Sequence, residues 1–293
     1  MSSNSIVING SKSVVAGSSN SKYRYYFNNP QYFTKYDQIA LNICNIYFSW
    51  FNVTSAYNNN SFQYQWFGTT NSTMQTFNVS FSDSYMSVSD MNEYLILLMV
   101  SRGHYTTETI AGVTSKVYYI KILENSNYYA IEFDISPMPS TTASSARGVP
   151  TDSTPQWVVP AATKTPIVII NSTNTFGDLV GFSPGNYPSS TKSTYQVFLS
   201  DKTPTINPVS SILMSCNLIT NNYSVPNNIL YAFTSAKTAF GGMVEISPNE
   251  KTYDNIQEGT YSYIEITFYD QDLNLLKILD TDLMIMLNLR KDK

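Results

Sequence analysis

One histidine, His104, and two cysteines, Cys44 and Cys216, are all that this chain offers for imidazole or thiol chemistry. His104 follows Gly103 and opens the polar run HYTTET. An imidazole with no Cys, Asp or second His nearby in sequence makes a poor metal ligand and a poor general base. The expectation is a packing role. Cys44 and Cys216 each sit in an apolar, strand-like run without a histidine partner. They read as small buried hydrophobes rather than nucleophiles, and two cysteines do not make a disulfide framework.

The carboxylates offer two further chemistries. Asp270, Asp272 and Asn274 in DQDLN resemble the opening of a calcium loop. Such a loop needs a glycine at its sixth position and a bidentate glutamate at its twelfth; here those positions are Leu275 and Thr281. A turn whose Asp and Asn side chains bond the local backbone is expected instead. Glu124, Glu132 and Asp134 could supply a glycosidase pair, which requires two carboxyls about 5 to 10 Å apart in a cleft. Glu132 and Asp134 are two residues apart, so on a strand they share a face, and a solvated face is the expectation. No G-x-S-x-G, P-loop or G-x-G-x-x-G occurs, and Gly241-Gly242 implies only a turn or bulge. No catalytic, cofactor-binding or metal-binding residue is assigned, and no enzyme is expected.

The composition points elsewhere. Only 13% of the 293 residues are charged, yet 23 are tyrosines. Aromatic and β-branched residues suit a pleated, half-buried surface, and abundant Asn, Ser and Thr supply turns and neutral solvent-facing positions. A net charge of -4 lacks the basic footprint that phosphate recognition needs. Tyr and Trp give stiff contact area with a polar tip, so subunit contact is the expected use of the aromatic excess, ahead of carbohydrate stacking or membrane contact. The opening MSSNSIVING has neither a charged nor an apolar signal region, and the apolar run Tyr94 to Val100 falls far short of the roughly 20 residues that cross a bilayer. Synthesis in a reducing compartment is therefore expected. The sequons at Asn9, Asn52, Asn59, Asn71, Asn78, Asn171 and Asn222 are read as a by-product of composition.

Residues 1–29 are Ser/Asn-rich and read as a flexible, slightly basic N-terminal arm carrying Lys12, Lys22 and Arg24. Strand patterns follow at 39–51, 62–66 and 77–81. In SVSDMNEYLILLMVSRG the period switches: Val88, Met91, Leu95 and Leu98 recur at helical spacing, Ser87 with Asp90 forms a capping box, and Gly103 ends the helix. A hairpin is predicted over 117–135. From 136 to about 166 the Pro/Ser/Thr/Ala composition predicts a long loop insertion. NTFGDLVGF reads as a short helical turn capped by Asn174. The last third is again β. YSYIEITFY alternates as a sheet with one wet face, while LMIMLNL, apolar on both faces, predicts a central strand buried on both sides. About ten strands and one or two helices predict an all-β sandwich with helical insertions, its core including Ile39, Leu41, Ile264, Ile266, Phe268, Ile285 and Leu287.

Several segments, in order, resemble the penton and minor capsid proteins of virophages and polinton-like viruses. They are IALNICNIYFSW…YMSVSDMNEYL, NTFGDLVGF, LSDKTPTINPVSSILMSCNLITNNYS, ILYAF and GTYSYIEITFYDQDLNLLKILDTDLMIMLNLR, spanning about Tyr36 to Arg290. The resemblance implies a single jelly roll over residues 30–293 with the 136–166 loop inserted. It also implies assembly as a homopentamer at the vertices of an icosahedral shell and contact with the major capsid protein. The chain would then reside in the virion after synthesis in the host cytoplasm or a virus factory. It supplies no catalytic residue. Two rivals stand beside it: a receptor- or glycan-binding spike module on a β-sandwich, and a glycosidase on the same architecture.

Overall fold

The computed structural model describes residues 2–70, 73–140, 147–150, 157–235 and 237–292. In chain order the elements begin with β1 (Ser2–Asn9), α1 (Gly10–Ser13), β2 (Lys22–Phe33) and β3 (Gln38–Tyr47). Next come β4 (Ser61–Phe67), β5 (Met74–Ser80), α2 (Val88–Ser101), β6 (Thr106–Ile110), β7 (Val113–Val117), β8 (Ile120–Asn125), β9 (Ala130–Ile135) and β10 (Arg147–Gly148). They are followed by β11 (Ile167–Ile170), α3 (Phe176–Val180), β12 (Gly185–Tyr187) and β13 (Gln196–Leu199). The chain closes with β14 (Ile212–Cys216), β15 (Ile229–Phe233), β16 (Met243–Ile246), β17 (Asp254–Asn255), β18 (Gly259–Asp270) and β19 (Met284–Lys291).

These elements fall into two compact units, one formed by residues 1–50 and 209–293 and the other by 51–208. In the first unit one sheet runs β1-β19-β3-β16, with β17 added to β3, and the other runs β15-β14-β18-β2. Numbering the eight long strands of this unit along the chain, the sheets read first-eighth-third-sixth and fifth-fourth-seventh-second, all antiparallel. That is the jelly-roll order, two Greek keys wrapped into a sandwich. The alternation read from the sequence places the core: Ile39, Leu41, Ile264, Ile266, Phe268, Ile285 and Leu287 are all buried, joined by Ile8, Tyr23, Cys44 and Ile46.

Three expectations are corrected here. In place of a flexible arm, residues 2–29 hold β1, the short helix α1 and the first part of β2. Ser2–Asn9 pairs with β19 and Lys22–Phe33 with β18, because Ile6 and Ile8 alternate against Leu287 and Ile285, and Tyr23 closes on Phe268 at 6.0 Å. The Ser/Asn content that suggested an arm fills the solvent-facing positions of an edge strand. The insertion is also far larger than 136–166: the whole stretch 51–208, between β3 and β14, is a unit with its own core. Finally, β19 is central in its sheet, yet only one of its faces is fully buried, and Met284 and Met286 on the other are half-buried.

The second unit holds a sheet β12-β11-β4-β5, two three-stranded sheets, β13-β9-β8 and β10-β6-β7, and α2. Its core includes Phe62 stacked on Phe176 at 4.8 Å and Phe133 on Phe182 at 4.1 Å. α2 starts where its capping box dictates: Ser87 Oγ accepts from the Asp90 amide at 3.2 Å, and Asp90 Oδ2 accepts from the Ser87 amide at 2.8 Å. Its buried stripe is Val88, Met91, Leu95 and Met99. The segment expected to be a loop contributes to this core through Trp157, buried with its Nε1 donating to Gly103 O at 2.6 Å. Residues 141–146 and 151–156 of that segment lie outside the described residues. Asn174 Oδ1 accepts from the Phe176 amide at 3.3 Å, although the residue preceding α3 is Thr175.

Candidate interaction surfaces

His104 sits where the end of α2 puts it. Gly103 adopts a φ of 69°, the left-handed turn that lets a chain leave a helix, and the His104 amide donates back to Met99 O at 2.7 Å. The imidazole then enters the core of the second unit, parallel to the Trp66 ring at 5.2 Å and edge-on to Phe77 at 4.4 Å. Its Nδ1 lies 2.6 Å from the Tyr64 hydroxyl. Arg102 Nη1 donates to that same hydroxyl at 3.3 Å. Burial, with the Arg102 charge adding to it, pushes the His104 pKa down to about 3. A neutral imidazole with one nitrogen engaged, Trp66 stacked on it and the Phe77 and Tyr64 rings packed near-perpendicular to it is a core residue.

The other sequence candidates are likewise engaged locally. Cys44 and Cys216 are free, buried thiols in the first unit, and burial pushes each pKa up to about 12. Asp270 Oδ1 accepts from the Asp272 and Asn274 amides at 2.9 and 2.8 Å, and its Oδ2 accepts from Asn274 Nδ2 at 3.1 Å. That carboxylate holds a turn after β18. Gly242 donates and accepts within a loop, its amide to Ala239 O and its carbonyl from the Phe48 amide.

Glu132 and Asp134 do share a face of β9, with Ile131, Phe133 and Ile135 buried on the other. Glu132 is held by Asn125 Nδ2 at 3.0 Å. Glu124 instead lines a groove of about 520 Å³ with Tyr85, Tyr129, Pro204, Ile206 and Asn207, a groove that neither Glu132 nor Asp134 lines. The three carboxylates therefore do not converge. Among the described residues no group of three or more His, Cys, Asp or Glu is placed to hold a metal ion, and no helix is long and apolar enough to cross a membrane. Two sequon residues, Asn52 and Asn59, are buried; the Asn52 amide bridges Met86 O and Ile206 O, each at 2.8 Å.

The sandwich also turns apolar and aromatic side chains outward. On the outer face of the β1-β19-β3-β16 sheet, register aligns Val7 with Met286 and Ile43, and Tyr47 with Met243. On the outer face of the other sheet Tyr26 packs on Tyr263 at 5.8 Å, and the Arg24 guanidinium lies 4.8 Å over Tyr263 while its Nε donates to Glu265 at 2.6 Å. Sequence reasoning missed both surfaces. The first was hidden by reading LMIMLNL as doubly buried, and the second by assigning KYRYYF to an arm. The alternation Tyr23-Tyr25-Phe27 against Arg24-Tyr26 was the available signal.

The strand order defines the class of the first unit as a jelly roll, a fold that hosts many functions. No protein-family model matches the chain, and no curated protein sequence matches it. Among solved structures, the chain is similar to the crystal structure of the selenomethionine-labelled mavirus penton protein. Identity there is 12%, with 99% of each chain covered and a TM-score of 0.44. It is also similar to the Sputnik virophage solved by cryo-EM at 3.5 Å, with 11% identity, 98% of this chain and 96% of that chain covered, and a TM-score of 0.39.

Proposed function

We propose that this chain is a structural capsid protein that works by self-assembly, forming a homopentamer at the vertices of an icosahedral shell and contacting the major capsid protein, with no chemical step. The observation that carries the reading is the jelly-roll strand order of the first unit, in which two sandwich faces point outward. The ordered sequence segments from Tyr36 to Arg290 that resemble virophage and polinton-type penton proteins support it. A ring needs two different complementary patches and little mutual repulsion, and a chain with 13% charged residues meets the second condition. The measurement that tests it is the solution mass and rotational symmetry of the particle formed by the purified chain. A fivefold ring is expected. A monomer at every concentration would overturn it, and saccharide affinity in that monomer would favour the second reading.

One observation favours a second reading, a glycan-binding module. In the second unit Tyr128 and Tyr129 are 71% and 78% exposed, and Tyr129 lines the groove with Tyr85, Glu124 and Asn207. Aromatic platforms beside neutral polar groups suit a sugar's apolar face and hydroxyls. A glycan array on the full chain separates this reading from the first.

A further inference from the structure

Over its first half, Met284 to Leu287, β19 is apolar on both faces, and the sandwich consumes only one of them. Ile285 and Leu287 face the core, while Met284 and Met286 face outward and stay half-buried. Register extends this outward surface across the sheet: Val7 on β1, Met286 on β19, Ile43 on β3, and Met243 on β16 beside Tyr47. Val7 and Met243, at opposite edges, are both 48% exposed. Among the strand residues of this half of the sheet the one charge is Glu245, in register with Asn45, which pairs in turn with Met284. The far half ends in Arg290, whose guanidinium lies 3.5 Å over the Tyr253 ring.

The opposite outer face has complementary chemistry. Tyr26, 63% exposed, and Tyr263 form an aromatic rung between β2 and β18. The outward charges of those two strands are Lys22, Arg24 and Glu265, a sum of +2 − 1 = +1, with Arg24 and Lys22 at 2.6 and 3.9 Å from the Glu265 carboxylate. The Val7–Met286–Met243 half of one face is methionine-rich with a single negative charge, Glu245; the other face is tyrosine-rich with a single net positive charge. Thioethers pack favourably against aromatic rings, and opposite residual charges remove the penalty of like-charge contact. The two patches lie on the two outer faces of one sandwich, so a contact between them is heterologous and propagates head to tail, giving a ring when the rotation between copies closes and a filament when it does not.

We infer that the Val7–Met286–Met243 face of one copy docks on the Tyr26–Tyr263 face of a second copy. This rests on the ring reading above and assigns its two surfaces. The test uses the full chain and solution mass by sedimentation velocity. The double variant Val7→Lys/Met243→Lys blocks one face, and Tyr26→Glu blocks the other; all three positions are exposed, and unchanged thermal melts show that the fold is kept. Each variant alone is expected to lose the ring and run as a monomer, while a 1:1 mixture, with one intact pair of faces, forms a dimer and stops. Leu97→Lys, on the exposed side of α2 in the second unit, keeps the ring. A wild-type ring that persists in either blocked variant overturns the docking assignment and leaves the ring reading standing, as does a mixture that stays monomeric. A wild-type chain that is monomeric at every concentration overturns both.

Discussion

The Tyr64 hydroxyl and His104 Nδ1 lie 2.6 Å apart in a pocket walled by Trp66 and Phe77, with Arg102 donating to the same hydroxyl from the rim. Burial in this pocket, with the Arg102 charge adding to it, turns the one histidine of the chain into a pH-dependent element of stability. His104 is 3% exposed, and its pKa falls from the ordinary 6.5 to about 3 on folding. Between those values the unfolded chain binds a proton that the folded chain refuses, so stability is full above pH 6.5 and declines as pH falls. The slope is about 1.4 kcal/mol per pH unit, or about 2 kcal/mol between pH 6.5 and 5. Urea titrations followed by tryptophan fluorescence at pH 7 and pH 5 should show that loss in wild type. His104→Gln, which cannot titrate, should show a smaller loss. Equal losses in the two proteins would mean that His104 is accessible to protons in the folded state.

Trp157 tests whether the Pro/Ser/Thr-rich segment belongs to a core. Its ring meets Trp66 at 5.4 Å and its Nε1 caps Gly103 O, the carbonyl just before His104. Trp157→Ala should destabilise the second unit by about 3–5 kcal/mol through cavity formation and a lost buried hydrogen bond. Amide hydrogen exchange locates the effect: protection should fall in residues 51–208 and persist in β3, β18 and β19. A loss below about 0.5 kcal/mol, the usual range for surface substitutions, would return the segment to the surface.

Legibility in the sequence followed the strength of local pattern. Ser87 with Asp90 and the alternation Ile264-Ile266-Phe268 are short-range signals that appear in the structure as read, while the stripe Val88-Met91-Leu95-Leu98 holds to Leu95 and then continues to Met99, with Leu98 only partly buried. The jelly-roll order is not short-range. β1 meets β19 across nearly the whole chain, and nothing near Ile6 or Ile8 announces the partner; a Ser/Asn-rich edge strand looks like an arm until its neighbour is known. The inserted unit was missed for a related reason. Its core draws on residues from Val53 to Phe182, so its extent is a property of tertiary contact rather than of any window. The outward faces follow from register, which a one-residue slip would reverse. Met284 and Met286 could be placed only once Cys44 was known to oppose Ile285.

Asp270 separates a structural turn from a cation site. Both of its carboxylate oxygens already accept hydrogen bonds from Asp272 and Asn274. Asp270→Ala should cost about 1–3 kcal/mol, because two turn amides lose a charged acceptor at a buried position. Millimolar calcium should leave the melting temperature of the wild type unchanged. A calcium-dependent rise that disappears in Asp270→Ala would identify a cation site instead.

The N-terminal strand carries the sharpest contrast between an arm and a structural element. Ile8 is fully buried opposite Ile285 and Ile6 is 9% exposed opposite Leu287, so both side chains belong to the sandwich core. Placing carboxylates there puts charge in an apolar interior without a partner, a cost of several kcal/mol. Ile6→Asp/Ile8→Asp should therefore lower the melting temperature of the first unit and expose the β19 amides that β1 covers. The same two changes in a free arm would alter neither. Removing residues 1–9 should be equally destructive, since it converts β19 from a central strand into an open apolar edge, the feature that templates aggregation. Hydrogen exchange across Met284–Lys291 decides the point: protection lost in the double variant supports an integral first strand, and unchanged protection together with an unchanged melt would restore the arm.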